Sequence, residues 1–202
     1  MIAGANWGAT ADERAMAMAC DHLLAGTPVR VHRAVSVDAT ASIVFSWLCQ
    51  LKLAPYSYDL IDNLGRSSPR ELACGVEHLE LGQRFMSIFS LTSFAHDQHI
   101  TLVSRRTAVT YAVIPSDGMT RLVARVLFDA PGGRLGAALT GQVLALGDLV
   151  MMRKQLLTLK SLTERDAAQR TESTHATPST PRIGPSHTRQ ARTTRSTAPT
   201  EK

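Results

Sequence analysis

The stretch RLGAALTGQVLALGDLVMMRKQLLTLKSLTER, residues 134–165, decides the fold, because it predicts one long amphipathic helix. Its large apolar residues follow each other at intervals of three or four, or at twice that interval where Gln142 intervenes. They are Leu135, Leu139, Leu146, Leu149, Met152, Leu156 and Leu159. Gly147-Asp148 predicts either a kink, with Asp148 capping the second part, or an uninterrupted helix.

The region before the sheet combines a strand with two helices. VRVHRAVSV (29–37) alternates and predicts a strand whose valine face also carries Arg33. DATASIVFSWLCQL (38–51) changes to a helical period, with Asp38 or Thr40 as the N-cap. Its apolar stripe consists of Ile43, Trp47, Leu48 and Leu51. Ala54-Pro55 ends this helix, and a short helix is predicted between Ser57 and Gly65.

Strand patterns dominate the middle of the chain, at 83–94, 99–106, 108–115 and 120–128. In the first of these strands one face is formed by Phe85, Ser87, Phe89, Leu91 and Ser93. Ser116-Asp117-Gly118 is typical of a hairpin turn. Only Thr107 separates the second and third strands, so these strands either run together or are joined by a very tight connection.

This order of elements predicts an α+β fold in which a curved antiparallel sheet grips a long C-terminal helix. A cavity remains between helix and sheet if the facing side chains do not fill it. We divide the chain into an irregular lead-in (1–27), one domain (28–165) and a disordered tail (166–202). The tail is rich in threonine, serine and proline, and Ile183 is its only large apolar residue.

Much of the positive charge lies in this tail, which holds six basic and three acidic side chains of a chain whose net charge is +5. The charge is therefore weak support for nucleic-acid binding by the folded domain. The tail also lacks the aromatic residues on which bases stack. We predict no specific nucleic-acid partner, and only weak contact between the tail and anionic surfaces.

The remaining composition favours a cytoplasmic protein. Asp12 and Glu13 interrupt the N-terminal stretch, which is unlike a secretory signal. Residues 135–152 come nearest to a membrane span, but glycines, Thr140, Gln142 and Asp148 argue against one. The three cysteines are far apart and form neither a disulfide framework nor a paired metal motif.

Several longer motifs resemble the START-like superfamily, also called the helix-grip, SRPBCC or polyketide cyclase/dehydrase-like fold. They are NWGAT (6–10), Cys20-Asp21, HRAV (32–35), FSWLCQL (45–51), APYSYDLIDN (54–63), VTY (109–111) and GDLVMMRKQLLTLK (147–160). Within that superfamily the chain is most similar to an actinobacterial-type group of single-domain members. The resemblance implies a cavity for a hydrophobic ligand. It implies no universal catalytic residues, because function does not follow from fold.

The stretch PYSYDLIDN, residues 55–63, supports two interpretations. In the functional one, Tyr58, Asp59, Asp62 and Asn63 lie at the cavity mouth and orient a ligand. In the structural one, Asp59 is a favourable charge in the first turn of a helix, and the tyrosines are half-buried packing residues.

Asp148 is the second candidate. In an uninterrupted helix its carboxylate, placed among leucine and valine, would need a cationic partner, which Arg33 or Arg125 could provide. The alternative is an exposed N-cap after Gly147. Apolar cavity walls are expected from Phe85, Phe89, Tyr111 and Met152.

Known catalytic and cofactor motifs are absent from the sequence, and we predict no cofactor and no metal site. His96 and His99 stand near each other, but without the further ligands that a metal needs. The favoured function is therefore binding of a small hydrophobic or amphipathic molecule. One alternative is a cyclase or dehydratase with Asp148 and Asp62 as acid and base. Another is an interaction protein that acts through its basic tail.

Overall fold

The computed structural model describes residues 4–57, 67–129 and 133–175, with side chains of the last helix described over 140–173. The strands are β1 (Asn6–Trp7), β2 (Val29–Val37), β3 (Arg84–Phe85), β4 (Phe89–Ala95), β5 (His99–Val103), β6 (Thr107–Ser116) and β7 (Met119–Phe128). The helices are α1 (Ala11–Ala15), α2 (Ala41–Cys49) and α3 (Gly133–His175), with short 3-10 helices at Ala19–His22 and Gln50–Lys52.

The strands form one curved sheet in the order β1-β2-β7-β6-β5-β4-β3, and α3 packs across it. All strand pairs are antiparallel except that of β1 with β2, which is parallel. Gly141 brings α3 close to β2, because an added Cβ would lie 2.7 Å from Val29 Cγ2. This arrangement confirms the predicted α+β, helix-grip fold.

The β6–β7 hairpin matches its prediction. Asp117 and Gly118 both have positive φ, 31° and 82°, as a tight two-residue turn requires. The connection from β5 to β6 is also tight, which confirms the second of the two alternatives. Its loop residues, Arg105 and Arg106, are closed by a 2.8 Å hydrogen bond from Ser104 N–H to the Thr107 carbonyl.

The continuous strand predicted at 83–94 is wrong. The chain turns sharply at Met86 and Ser87, whose φ values are 45° and 66°, and Phe85 pairs with Phe89 across that turn. The pattern hid the turn because it lacks Gly, Asn or Pro, and because a tertiary bond from Met86 N–H to the Leu51 carbonyl helps to hold it. A register shift between Leu91 and Ser93 also removes their shared face.

Helix α2 begins as expected, with Thr40 at its N-cap. The Thr40 hydroxyl, however, bonds with the Ser42 hydroxyl and not with a backbone N–H. Every residue of the predicted stripe is buried, and Val44, Phe45 and Cys49 are buried too. The helix is therefore enclosed on most sides, which a stripe on one face does not predict.

Helix α3 is uninterrupted, so neither the kink nor the exposed N-cap at Asp148 is found. The predicted stripe holds at Met152, Leu156 and Leu159, which are buried, but fails at Leu146, which is 46% exposed. Helix geometry explains this failure, because at 100° per residue Leu146 lies about 120° around the helix from Met152, whereas the buried Ala145 lies within about 20° of it.

The boundaries at both ends of the domain need correction. Helix α3 continues to His175 and so includes the first ten residues of the predicted disordered tail, 166–175, while residues 176–202 lie outside the described ranges. One contact that holds α3 to the domain beyond residue 165 is a hydrogen bond in which the Trp47 indole N–H donates to the Asp166 carboxylate at 3.0 Å. The lead-in contains β1, α1 and a 3-10 helix, each too short for periodicity to indicate it.

Candidate functional site

A cavity of about 400 Å³ lies between α3 and the sheet. The wall residues come from the chain after α2, the β3–β4 turn, β6, β7 and α3. They are Pro55, Ser57, Met86, Ser87, Ile88, Phe89, Thr107, Val109, Tyr111, Val126, Phe128, Asp148, Met151, Met152 and Gln155. Among the described residues, a single carboxylate therefore faces this mostly apolar space, whose volume is in the size range of small-molecule pockets.

Three of the four predicted apolar wall residues, Phe89, Tyr111 and Met152, line this cavity. Phe85 does not, because its side chain is fully buried in the hydrophobic core, where β3 packs beside β4 and the 3-10 helix Gln50–Lys52. The β3–β4 turn places Met86, Ile88 and Phe89 at the wall instead. Two flexible methionines of α3, Met151 and Met152, make the opposite wall adaptable.

Asp148 forms an ion pair with Arg33, with 2.9 Å between Oδ2 and Nη2. The Arg33 side chain is fully buried and that of Asp148 is 9% exposed. Burial raises the pKa of Asp148 to about 6, although the guanidinium opposes the shift. Burial likewise lowers the pKa of Arg33, against the effect of Asp148. Of the two predicted partners, Arg33 and Arg125, it is therefore Arg33, on β2, that pairs with Asp148.

This pair is incompletely hydrogen-bonded. Arg33 Nη1 donates to the His32 carbonyl at 2.8 Å, and Arg33 Nη2 donates to the Ala145 carbonyl at 3.1 Å. Within the described residues, Arg33 Nε has no hydrogen-bond partner, and Asp148 Oδ2 has only its ion-pair contact with Arg33 Nη2. Arg33 does not itself line the cavity, so only the carboxylate is presented to a ligand. A ligand with an O–H or N–H donor would complete the bonding of Asp148.

Tyr111 and Gln155 form the other polar group of the cavity. The Tyr111 hydroxyl donates to Gln155 Oε1 at 2.7 Å, and Gln155 Nε2 donates to the Pro55 carbonyl. Burial, with Asp148 nearby, raises the pKa of Tyr111, so its hydroxyl stays neutral. Sequence reasoning missed Gln155. The signal was an amide three residues after Met152 on the buried face of α3.

Arg125 is not a cavity residue, contrary to prediction. Successive strand residues point to opposite faces, and Val126 lines the cavity, so Arg125 lies on the other face of the sheet. There its Nη1 contacts both carboxylate oxygens of Asp21, at 2.9 and 2.7 Å. The alternation of β7 could have indicated this placement.

The other predicted residues, Tyr58, Asp59, Asp62 and Asn63, lie outside the described ranges, as does the short helix expected around them. Pro55 and Ser57, which immediately precede them, line the cavity. The part that these four residues play at the cavity mouth therefore stays a prediction.

Two further findings concern metal sites and membrane spans. In residues 4–57, 67–129 and 133–175, no group of three or more His, Cys, Asp or Glu side chains is placed to hold a metal ion. Among the helices of those ranges, none combines the length and apolar character that a bilayer span needs.

Comparison with known proteins gives matches only among solved structures, since no protein-family model and no curated protein matches the chain. A polyketide-cyclase-like protein from Corynebacterium glutamicum is 13% identical, with 75% of this chain and 99% of that chain covered and a TM-score of 0.43. A START superfamily protein from Mycobacterium smegmatis is 12% identical, with 63% of this chain and 98% of that chain covered and a TM-score of 0.34. The Aha1 dimer from Colwellia psychrerythraea is 14% identical, with 67% of this chain and 96% of that chain covered and a TM-score of 0.37.

The architecture of the chain itself is more telling than these distant matches. Helix α3 is held against a curved sheet of seven described strands, and a cavity separates the two. The chain has a helix-grip α+β fold.

Proposed function

We propose that the chain binds a small amphipathic molecule in the cavity between α3 and the sheet. The observation that carries the proposal is a mostly apolar space of about 400 Å³ that is lined by a buried carboxylate, Asp148, while its ion-pair partner Arg33 is not part of the lining. The apolar body of the ligand would gain about 25 cal/mol for each Å² that it removes from water. A hydroxyl or amide N–H of the ligand would donate to Asp148.

The charge around Asp148 selects among polar groups. Arg33 already balances the carboxylate at 2.9 Å, so the site needs a donor more than it needs a cation. An anionic ligand group would meet Asp148 directly, while Arg33 lies behind it. Neutral alcohols, phenols or amides with an apolar body are therefore the proposed ligand class.

Native mass spectrometry of the freshly purified full chain tests occupancy, and extraction of any adduct gives its chemical class. Titration with 1-dodecanol and with its methyl ether then tests orientation, because only the alcohol has a donor. We expect the wild type to prefer the alcohol by roughly tenfold. Asp148→Asn should reduce that preference, whereas Asp129→Asn, an exposed carboxylate outside the cavity, should not.

Equal affinity for alcohol and ether would reject the role of Asp148 in orientation. A chain that purifies empty and takes up neither probe would reject ligand binding altogether.

A second candidate function is a cyclase or dehydratase acting on a polyketide-like substrate. It is favoured by one observation, the raised pKa of Asp148 at about 6, which lets the carboxyl exchange a proton near neutral pH. The other proposed carboxylate, Asp62, lies outside the described ranges. Asp148→Asn separates the two functions, because an acid/base catalyst would lose turnover of a polyketone thioester while still binding it.

A further inference from the structure

Helix α3 carries a second apolar surface, which faces away from the sheet. We define the outer stripe as Val143, Leu146, Val150 and Leu157, which are 71%, 46%, 53% and 37% exposed. Their spacings of three, four and seven residues place them on one side of the helix. At 1.5 Å per residue the stripe is about 21 Å long.

An exposed apolar row of this kind is unusual on a helix that already buries another face. A surface helix normally points polar residues to solvent opposite its core face. Here the core face holds Met152, Leu156 and Leu159, and the outer stripe is additional to it. Contiguous exposed apolar surface of this kind marks an interaction site.

The charges beside the outer stripe are all positive. At 100° per residue, Arg153 and Lys154 flank the stripe on opposite sides, and both are exposed. Between residues 140 and 161 the only acidic residue is Asp148, which is buried against Arg33 on the far side of the helix. Arg153 also lies over the Trp7 ring, with 5.6 Å from Cζ to the ring centroid.

The sequence after the helix extends this positive charge. Residues 176–202 contain five basic side chains and one acidic side chain, Glu201. The basic ones are Arg182, Arg189, Arg192, Arg195 and Lys202. A partner of the outer stripe therefore meets an apolar row and two adjacent cations, and the sequence that follows the helix carries further positive charge.

We propose that the outer stripe docks on an anionic lipid surface. Apolar side chains bordered by cations match the boundary between lipid headgroups and acyl chains. Arginine and lysine can keep their charges at the headgroups while their stems lie along the apolar row. Contact between two copies through the stripe would instead gather Arg153 and Lys154 from both copies, with no exposed carboxylate in 140–161 to balance them.

The position of the stripe gives the docked state a consequence for the cavity. Met151 lines the cavity and directly follows Val150 of the stripe. Docking would therefore bring a cavity wall to the membrane surface, whether or not the proposed ligand is bound. The inference rests on the surface of α3 and on the charge of the sequence that follows it, and it goes beyond the proposed binding function.

Co-sedimentation with vesicles tests the proposal. The full chain should sediment with phosphatidylcholine vesicles that contain phosphatidylglycerol, and much less with phosphatidylcholine alone. The double variant Leu146→Asp/Val150→Asp should lose this binding. Met119→Asp is the matched control, because Met119 is also 46% exposed but lies at the β6–β7 hairpin. It should bind as the wild type does.

A second variant separates the charges from the apolar row. Arg153→Gln/Lys154→Gln should weaken binding to the anionic vesicles by roughly thirtyfold, since each basic residue near such a surface contributes about 1 kcal/mol and about 1.4 kcal/mol corresponds to tenfold. Replacement of the four tail arginines by glutamine measures the contribution of residues 176–202. If the tail variant alone lost binding, while both helix variants kept it, the stripe would not be the docking surface.

Two more results would overturn the proposal. One is a wild-type chain that does not sediment with anionic vesicles at low salt. The other is a wild type that is dimeric by light scattering without lipid and becomes monomeric in Leu146→Asp/Val150→Asp, which would make a second copy the occupant. Uptake of an apolar probe into the cavity should be unchanged in every helix variant, so failure here is distinct from failure of the proposed ligand binding.

Discussion

Two arginines on adjacent strands, Arg33 and Arg125, are buried on opposite faces of the same sheet. Their side chains are 0% and 1% exposed, and each contacts a carboxylate. The two sites differ in how completely they are hydrogen-bonded. Arg125 is fully bonded, whereas the pair formed by Arg33 and Asp148 is not.

The bonds of Arg125 tie the N-terminal segment to the sheet. Besides the two contacts with Asp21, its Nε donates to His32 Nε2 at 3.2 Å, and its Nη2 donates to the carbonyls of Glu13 and Arg14. A buried charge that is satisfied from every side stabilises a fold without offering anything to a ligand. The Arg33–Asp148 pair has the opposite character, because its carboxylate lines a cavity and Arg33 Nε has no hydrogen-bond partner among the described residues.

The largest loss of stability is expected when Arg125, the fully hydrogen-bonded arginine, is replaced. Arg125→Met leaves Asp21 without its main partner and removes three further hydrogen bonds, so it should lower the free energy of unfolding by roughly 3–5 kcal/mol. Urea denaturation followed by circular dichroism measures it. Arg30→Gln is the control, because Arg30 is half-exposed and 3.5 Å from Asp21, and it should change stability by less than about 1 kcal/mol. Equal effects of the two variants would refute the contrast.

The contributions of His32 and Asp148 to stability, one on each face of the sheet, should also depend on pH in opposite directions. Burial, with Arg125 nearby, lowers the pKa of His32 to about 4, so its contribution is complete above pH 6.5 and is lost as the pH falls towards 4. Asp148 has a raised pKa of about 6, so its contribution grows as the pH falls from 6 to 4. Each effect amounts to roughly 3 kcal/mol, and in the wild type they largely cancel over this range.

Single variants remove that cancellation. Asp148→Asn should become less stable as the pH falls from 6.5 to 4, and His32→Gln should become more stable over the same interval. Urea denaturation across that range measures both. If the two variants showed the same pH dependence, the assignment of one shifted group to each face would be wrong.

The sequence predicted the fold well because the fold depends on long patterns. The helical period after Arg134, the alternation of β2 and the turn at Asp117-Gly118 each span enough residues, or use distinctive enough residues, to indicate one structure. The failures are local. Met86 and Ser87 turn the chain without any typical turn residue, and their conformation depends on a bond with Leu51 that lies far away in sequence.

The candidate site was predicted less completely for a related reason. A carboxylate in an apolar helix needs a cation, which is why Arg33 could be named as a partner for Asp148. The face on which Arg125 lies follows from strand alternation, but its partner Asp21 belongs to a segment without a period. Gln155 was missed because an amide on a buried helix face signals only that some partner exists, and its partners are Tyr111 and a backbone carbonyl.

The smallest effect on stability is expected when both members of the incomplete pair are removed together. Arg33→Met/Asp148→Leu replaces two buried charges by apolar groups of similar size, which in other proteins is neutral or stabilising. Its free energy of unfolding should stay within about 1 kcal/mol of the wild type or rise above it, whereas Arg33→Met alone leaves the carboxylate unbalanced and should be destabilising. Denaturation of both variants in urea checks this.

The double variant also separates stability from recognition. It keeps an apolar cavity but has no carboxylate, so it should bind 1-dodecanol and its methyl ether equally well. A double variant that unfolds like Arg125→Met would show that the pair is needed for the fold. A stable double variant that still prefers the alcohol would show that another group receives the donor. A stable variant without that preference would show that the Arg33–Asp148 pair serves ligand recognition, because packing of α3 on the sheet would not require it.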